Sequence, residues 1–579
     1  MCRVSSVDPN SFANLDQLHT QHVHLDLAVD FQRRELAGKA RVRLVAVASD
    51  VTKAVLDTRA LHIDDVQLAG HSAPVEYALK DAHPIYGSAL CVTLPRAYAA
   101  GETLELVVSY KTTKESGALQ WLAPSQTVGK QHPYLFTQCQ AIHARSLAPV
   151  QDSPAIKLTY SASIRVPKPL RALMSALATG SDPGEDGAST IYRFEQRTKM
   201  PSYLIALVVG NLEGREVGPR STVWSEPEVV ERAAWEFVDT ERFIATGEAL
   251  LTPYEWGRYD LLVLPGSFPY GGMENPCLTF VTPTLLAGDR SLVDVVAHEI
   301  AHSWMGNLVT TRNWEHFWLN EGWTVFIERK IIGRLRGEPA RQFSAMIGLT
   351  GLRKDIELFG PTNALTALTP NLTEVDPDDA FSRVPYEKGF NLLYYLEQLV
   401  GGPSVFEPYM KAHVQAFAGQ SITTAEWKQF LYDYMSRHHG EAMVKTLDTV
   451  NWHAWFKEPG MPPVTNEYDH TLANACTELS KRQAASGADK GQFSADDIKD
   501  FTPYQKVLFL QLLADSKSVS KEKLDLMDAI YEFTHVVNCE IRFAWQMLCL
   551  HAAYVPIYPH VVAFVKEQGR MKYVRPLYR

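Results

Sequence analysis

The stretch His298-Glu299-Ile300-Ala301-His302 has the residue types and the spacing of a metal site. On a helix, residues four apart lie one turn apart on the same face, so both imidazoles can bind one ion. A catalytic zinc takes three protein ligands and keeps its fourth position for water, so a third ligand must come from elsewhere. The alternative is an amphipathic helix whose histidines are ordinary core or surface residues.

Glu321 is the best candidate for the third ligand. It lies in a second apolar and aromatic run, Phe317 to Glu328, that has helical spacing. An intervening turn at Gly306 and Asn307 would let this helix pack antiparallel to the first. Glu299 is too close along the chain to share the ion. We expect it to take a proton from the attacking water, whose pKa a zinc ion lowers to about 7.

Several stretches resemble the M1 zinc aminopeptidase family over nearly the whole chain: FTQCQAIHARSLAP, FPYGGMENP, AHSWMGNLVT, RVPYEKGF and EQGRMKYVRPL. The combination of GGMEN with HExxH and, after a gap of eighteen residues, Glu321 is highly specific in this order. The chain is most similar to bifunctional members that also hydrolyse a fatty-acid epoxide. The resemblance implies a thermolysin-like catalytic domain and one zinc ion.

The resemblance also implies how a peptide is held at its amino end. Glu274 would bind the free α-ammonium, helped by Gln138 and Gln140, although the two glutamines alone could belong to a strand edge. Residues 270–273, namely Tyr270, Gly271, Gly272 and Met273, would line the same site, where the glycines let the backbone approach a substrate. Tyr386 would donate a hydrogen bond to the tetrahedral oxyanion, which contributes about 3 kcal/mol when well placed.

Four further residues are assigned by the resemblance to the lipid reaction or to both reactions. Asp378 would position water along the fatty chain, and Phe381 would line the pocket. Arg570 and Lys572 would bind the carboxylate that a peptide and a fatty acid share. Phe381 departs from the tyrosine of vertebrate members, which bears on the epoxide reaction and not on peptide cleavage. Trp323 also departs from the vertebrate members, which carry a histidine at this position.

Composition and charge restrict the functional class. The chain is 46% hydrophobic and 21% charged, with a net charge of −10 and no long run of lysine or arginine, which disfavours nucleic acid as a partner. No apolar run approaches the roughly 20 residues of a membrane span, and the first residues lack a signal-peptide core. The seven scattered cysteines are typical of reduced thiols. We therefore expect a cytoplasmic protein that does not bind membranes.

The periodicity predicts an α+β multidomain fold. Residues 1–212 alternate with period two and predict an antiparallel β domain. Residues 213–457 would form the zinc catalytic domain, 458–468 a proline-rich linker, and 469–579 an α-helical solenoid. We expect the last helix to end at Gly569, where Arg570 and Lys572 could simply complement the helix dipole if they bind no carboxylate.

We therefore predict a monomeric zinc hydrolase that cleaves the first residue from short peptides with a free N-terminus and also hydrolyses a fatty-acid epoxide. One alternative is an arginine-preferring aminopeptidase without a lipid reaction. Another is a peptide-binding scaffold with a structural metal. Glu299 argues against the scaffold, because a structural zinc needs no general base and normally has four protein ligands.

Overall fold

The computed structural model describes residues 4–485, 494–517 and 519–579, so Cys2 lies outside the described residues. The N-terminal part consists of strands β1 Leu18–Asp30, β2 Glu35–Ala46, β3 Val51–Thr58, β4 Leu61–Leu68, β5 Tyr77–Leu79, β6 Ser88–Tyr98, β7 Thr103–Thr112, β8 Leu119–Leu122, β9 Tyr134–Thr137, β10 Lys157–Pro167, β11 Arg171–Met174, β12 Leu177–Pro183, β13 Ser189–Pro201 and β14 Leu207–Gly210. The predicted N-terminal β domain is confirmed.

Three sheets build this part, with strand orders β12-β13-β10-β1-β2-β7-β4, β11-β14-β9-β8 and β3-β6-β5. Burial alternates along β10, as the period-two pattern predicts for a sheet with one face in the core. One pair departs from the antiparallel expectation, because β1 and β10 run parallel. The long chain between these two strands allows β10 to enter the sheet from the same end as β1.

The middle part contains a further, five-stranded sheet covered by helices. Its strands are β15 Glu213–Gly218, β16 Ser221–Ser225, β17 Asp260–Val263, β18 Gly272–Met273 and β19 Leu278–Val281, in the order β15-β16-β17-β19-β18, with a small pair β20 Thr310–Thr311 and β21 Ser421–Ile422. Its helices are α1 Pro227–Glu236, α2 Thr240–Leu250, α3 Asp294–His302, α4 Trp318–Arg336, α5 Glu338–Phe359, α6 Gly389–Leu399, α7 Pro403–Phe417, α8 Thr424–His439, α9 Glu441–Leu447 and α10 Trp452–Lys457.

Helices α3 and α4 pack antiparallel, as their ion pairs show. Asp294, at the start of α3, pairs with Arg336 at the end of α4 at 2.7 Å, whereas His302, at the end of α3, faces Glu321 near the start of α4 at 3.3 Å. Burial covers most of the circumference of α4, which therefore forms the centre of this part. The antiparallel arrangement brings the second half of the metal motif over the first.

A separate hydrophobic core lies in the C-terminal helices, α11 Thr471–Ala485, α12 Pro503–Ser516, α13 Lys521–Tyr531, α14 Cys539–His551, α15 Tyr558–Glu567 and α16 Met571–Tyr578. One continuous core runs through the two preceding parts. The predicted C-terminal helical domain is confirmed. The boundaries predicted at residues 212/213, 457/458 and 468/469 stay predictions. Among the described residues, no helix has the length and apolar character needed to cross a membrane.

The prediction for the last helix is wrong in one respect. Helix α15 ends at Glu567 with an extended Gln568, and the chain then begins α16 with Arg570 as its N-cap residue. The cause is a backbone contact, because the Gly569 N–H donates to the carbonyl of Gly266 at 2.6 Å and draws the chain out of the helix. Basic side chains at the start of a helix do not complement its dipole. That interpretation of Arg570 and Lys572 is therefore excluded.

Candidate active site

Three side chains from α3 and α4 converge on one point. His298 Nε2 and His302 Nε2 lie 3.4 Å and 3.3 Å from Glu321 Oε2. The ligand atoms of the three residues all lie within 4.8 Å of one another. The two histidines are one helical turn apart on α3, and antiparallel packing brings Glu321 opposite them. Two imidazole nitrogens and one carboxylate form the donor set that catalytic zinc takes in proteins.

Hydrogen bonds hold both imidazoles with Nε2 directed at this point. The Nδ1–H of His298 donates to Glu328 at 2.9 Å, and the Nδ1–H of His302 donates to the carbonyl of Met305 at 2.9 Å. Such bonds fix the tautomer and raise the basicity of the ligand nitrogen. Glu328 lies two turns after Glu321 on the same face of α4, a spacing that could have revealed it in the sequence.

The residues present fit a divalent cation. Glu321 Oε2 is buried and accepts no hydrogen bond, so it needs a positive partner. Burial alone would raise the pKa of Glu321, but the neighbouring His302 and His298 lower it to about 2. Burial would also lower the pKa of His302, but the nearby carboxylates of Glu274 and Glu321 raise it to about 9. The pocket as a whole therefore favours positive charge.

Glu299 lies beside the triad and against the backbone of strand β18. Its side chain is buried, and a Cβ atom on Gly272 would come within 2.2 Å of its Oε1. Burial raises the pKa of Glu299, an effect that His298 and His302 partly oppose, and a bound cation would lower the pKa further toward the carboxylate form that a general base requires. The contact explains the glycine of the GGMEN motif, since any side chain at position 272 would occupy the place of the carboxylate.

Glu274 adds a second buried carboxylate near His302. One of its carboxylate oxygens, a carboxylate oxygen of Glu299 and a ring nitrogen of His302 all lie within 4.8 Å of one another. The main chain at Glu274 is fixed because the side-chain amide of Asn307 donates to its carbonyl at 2.7 Å. Gln140 Nε2 donates to Glu274 Oε1 at 3.4 Å. The segment after β9 therefore reaches the candidate metal site.

Gln138 and Met273 contact each other on the same side of the site as Glu274. Gln138 Nε2 lies 3.1 Å from Met273 Sδ, while Gln138 Oε1 is buried without a hydrogen-bond partner. An acceptor without a donor beside an acidic pocket suits a ligand that carries N–H groups. Gln140 thus contacts Glu274, and Gln138 contacts Met273, the residue that precedes Glu274.

Tyr386 reaches the triad from a π-helical turn, Val384–Lys388, that precedes α6. Its ring stacks near that of His298, with centroids 6.0 Å apart. The turn lies close to α4 because Gly322 and Gly389 face each other, and a Cβ on either would come 2.8 Å from the other's Cα. Burial raises the pKa of Tyr386, and the nearby glutamates raise it further, so its phenol stays a hydrogen-bond donor.

An aromatic wall continues from Tyr386 away from the triad. Phe381 lies between Tyr386 and Tyr270, at centroid distances of 6.1 Å and 6.3 Å, and its side chain is largely exposed. Asp378, three residues before Phe381, accepts a hydrogen bond from His143 Nε2 at 2.8 Å. His143 lies inside the FTQCQAIHARSLAP stretch, but its pairing with Asp378 had no signal in the sequence.

Arg570 reaches the start of the GGMEN segment, just before strand β18. A Cβ on Gly271 would come within 2.8 Å of Arg570 Nη2. Arg570 Nη1 donates to Thr284 Oγ1 at 3.2 Å. Lys572 does not contact Gly271 directly, and its Nζ donates to Glu540 at 2.5 Å. Arg570 therefore lies directly against the GGMEN segment, whereas Lys572 is joined to Arg570 through Glu540.

Comparisons with known proteins agree with this geometry. The Peptidase M1 N-terminal domain model matches residues 19–204, the Peptidase family M1 domain model matches 236–455, and the leukotriene A4 hydrolase C-terminal model matches 501–579. A leukotriene A-4 hydrolase from Xenopus laevis is 50% identical over 99% of this chain and 93% of its own length. Leucine aminopeptidase 2 from Emericella nidulans is 41% identical over 99% of this chain and 92% of its own length.

The fold is likewise similar to solved structures. The structure of yeast LTA4 hydrolase in complex with bestatin superposes with a TM-score of 0.92 at 38% identity, covering 99% of this chain and 92% of that chain. An M1 zinc metallopeptidase from Deinococcus radiodurans shares the fold alone, with a TM-score of 0.60 at 22% identity over 78% of this chain and 96% of that chain. With three matching family models and these full-length relatives, the chain belongs to the M1 peptidase family.

Proposed function

We propose that this chain is a zinc aminopeptidase that removes the first residue from short peptides. One observation carries the proposal: the His298, His302 and Glu321 ligand atoms converge within 4.8 Å, with the buried carboxylates of Glu299 and Glu274 beside them. One carboxylate can serve as a general base and the other can bind an ammonium group. A structural metal site has no use for either.

The amino end of the peptide binds at Glu274. An exopeptidase needs an anion that grips the free α-ammonium, because that contact fixes the distance from the N-terminus to the bond that is cleaved. The buried position of Glu274 strengthens the interaction, since water screens it little. Gln138 and Gln140 contact Met273 and Glu274 and offer amide oxygens to the remaining ammonium protons.

His298, His302 and Glu321 would hold a zinc ion, which when bound supplies Lewis acidity and lowers the pKa of water. Glu299 takes a proton from the attacking water and returns it to the leaving amine. Tyr386 donates its phenolic hydrogen to the oxyanion, a contribution of about 3 kcal/mol for a well-aligned donor. Its raised pKa keeps that hydrogen in place at neutral pH.

The remaining residues hold the rest of the peptide. Tyr270, Gly271, Gly272 and Met273 lie along one side of the substrate, as expected for an edge strand. Arg570 and Lys572 bind the C-terminal carboxylate, for which guanidinium and ammonium groups are the natural partners. Arg570 is well placed because it lies against Gly271.

A second activity, hydrolysis of a fatty-acid epoxide, is favoured by the position of Asp378 near the aromatic wall that contains Phe381. Asp378 is partly exposed and lies three residues before Phe381, so it can position water on the chain of a bound lipid, whose carboxylate would bind at Arg570. The Xenopus relative is named a leukotriene A-4 hydrolase, which suggests leukotriene A4 as substrate and leukotriene B4 as product. The fungal relatives are named leucine aminopeptidases, which favours the peptide reaction alone.

The deciding experiment measures both reactions on one zinc-quantified preparation. We expect wild type to hydrolyse an arginyl tripeptide and leukotriene A4, and Glu299→Gln to lose peptide hydrolysis while it keeps its zinc. Glu195→Gln, on strand β13, is the matched control for loss of one negative charge. Cleavage of the peptide alone would leave an aminopeptidase without the lipid reaction. Peptide hydrolysis that survives Glu299→Gln would overturn the mechanism, and zinc-dependent binding without hydrolysis would favour the scaffold.

We further propose that the protein acts in the cytoplasm as a monomer with one zinc ion. Buried, unpaired thiols at Cys139, Cys277, Cys476 and Cys549 suit a reducing compartment. The two candidate ligand clusters found among the described residues share His302, which suits one ion. Metal analysis should give one zinc per chain, and light scattering should give the mass of one chain, 64.9 kDa.

A further inference from the structure

A buried carboxylate, Glu540, is bonded to the cations proposed to bind the substrate carboxylate. Lys572 Nζ donates to Glu540 Oε1 at 2.5 Å, and Arg570 Nη1 lies 3.8 Å from the same oxygen. The hydroxyl of Tyr573 donates to Glu540 at 2.9 Å and itself accepts from Arg570 at 3.1 Å. A negative group thus occupies part of a site whose ligand is itself negative.

Glu540 is held firmly in this position. It lies in the first turn of α14, where a negative charge is favoured by the helix dipole, and Asn538 caps the same turn. Burial would raise the pKa of Glu540, but Lys572 and Arg570 lower it below its usual value, so it stays ionised. Arg570 and Lys572 together with Glu540 therefore carry a net charge of +1 and not +2.

Arg570 does not depend on Glu540 for its orientation. Its Nη1 also donates to Thr284 Oγ1 at 3.2 Å, its backbone N–H donates to Gln568 at 2.8 Å, and its Nη2 lies against Gly271. The Lys572 side chain is 40% exposed, so its ammonium can turn from Glu540 toward an incoming group. A ligand carboxylate must therefore compete with Glu540 for Lys572 and is repelled by the Glu540 charge.

We propose that Glu540 is a specificity-determining residue that lowers the affinity of the Arg570–Lys572 site for carboxylate-bearing ligands. The inference rests on the carboxylate-binding role proposed above for these two cations. Glu540 competes for their hydrogen bonds and leaves one net positive charge for one ligand carboxylate. The consequence is faster release of the product, which keeps the same C-terminal carboxylate as the substrate.

The test uses one tripeptide in two forms, with a free C-terminal carboxylate and with a C-terminal amide. In Glu540→Gln we expect the KM for the acid form to fall by about tenfold, because a like charge beside the ligand is removed. The KM for the amide form should not change. The inhibition constant of the product dipeptide should fall together with the KM for the acid form. If Glu540 had a merely structural role, its replacement would change the KM values for the acid and amide forms alike.

Three variants make the result decisive. Glu567→Gln removes a similar charge from an exposed ion pair with Arg542 in the same part and should leave the acid-to-amide KM ratio unchanged. Glu540→Asp keeps the charge and should retain a ratio near that of wild type, which covers the case where Glu540→Gln folds poorly. Arg570→Gln should abolish the preference of wild type for the acid form.

The outcomes separate the inference from the proposed function. If wild type does not distinguish acid from amide, the carboxylate site itself is wrong and the role of Glu540 falls with it. If wild type distinguishes them and Arg570→Gln does not, but Glu540→Gln leaves the ratio unchanged or weakens acid binding, only the inference is overturned. A selective gain in acid binding supports both.

Discussion

Replacement of Gly272 by alanine should displace the proposed general base without touching the metal ligands. An alanine Cβ would lie 2.2 Å from Glu299 Oε1, 2.6 Å from its Cδ and 2.9 Å from its Cγ. Gly272 is not among the glycines with positive φ, so alanine fits its backbone conformation. The effect of the substitution is therefore steric, and it falls on Glu299.

The size of the displacement sets the expected loss of activity. Non-bonded carbon and oxygen atoms approach to roughly 3.2 Å at closest, so the carboxylate must move by about 1 Å. A misplacement of about 1 Å in a reacting group costs about 10²-fold in rate. We expect kcat for a tripeptide to fall by about that factor, equivalent to about 2.7 kcal/mol. The zinc content should stay unchanged.

Gly271→Ala is the matched control, because it adds the same methyl group one residue earlier. Its Cβ would meet the flexible end of Arg570 at 2.8 Å, so we expect a higher KM for peptides with a free carboxylate and a nearly normal kcat. Steady-state kinetics on metal-quantified samples would separate the two variants. A Gly272→Ala enzyme with a normal kcat, beside an inactive Glu299→Gln enzyme, would refute the contact on which the reasoning depends.

Three further substitutions test other parts of the structure. Glu328→Gln weakens the hold on His298, and competition with a chelator should show zinc affinity reduced about 10- to 100-fold. Arg145→Met leaves the buried carboxylate of Asp152 unpaired, and urea unfolding should show a loss of about 3–5 kcal/mol, whereas a loss under 1 kcal/mol would contradict the buried ion pair. Burial lowers the pKa of His413 to about 3 from 6.5, so the unfolded chain binds more protons between these values and stability falls as pH falls through them. His413→Phe should lose less stability than wild type between pH 6.5 and 4, and parallel pH profiles would count against this assignment.

The metal triad could be predicted from the sequence because each part of it follows a local rule. Helical spacing places the two histidines on one face, and a second amphipathic run with a turn before it provides Glu321. The β domain and the C-terminal helices also followed from periodicity. Such local patterns survive folding because burial of the apolar face selects the same periodicity.

Other contacts depend on chain segments that approach only in the folded state. The pairing of His143 with Asp378 joins residues 235 positions apart, and Glu540 meets Lys572 from a different helix. No spacing rule relates such residues. The end of α15 was mispredicted for the same reason, because the backbone of Gly266, far away in the sequence, determines where that helix ends.

The distance between the two charged ends of the site relates the fold to the length of its substrate. Strand β18 is the edge strand of its sheet, so a peptide can bind beside it in extended form. Arg570 contacts this segment at Gly271, and Glu274 follows three residues later. Extended chain advances about 3.3 Å per residue, so the main chain at these two positions is separated by at most about 10 Å. A tripeptide in the same conformation has its ammonium and carboxylate about this far apart. If Glu274 and Arg570 bind the two ends of the substrate as proposed, a longer peptide must extend past Arg570 and lose one of the two ionic contacts, so we expect a lower KM for tripeptides than for longer chains.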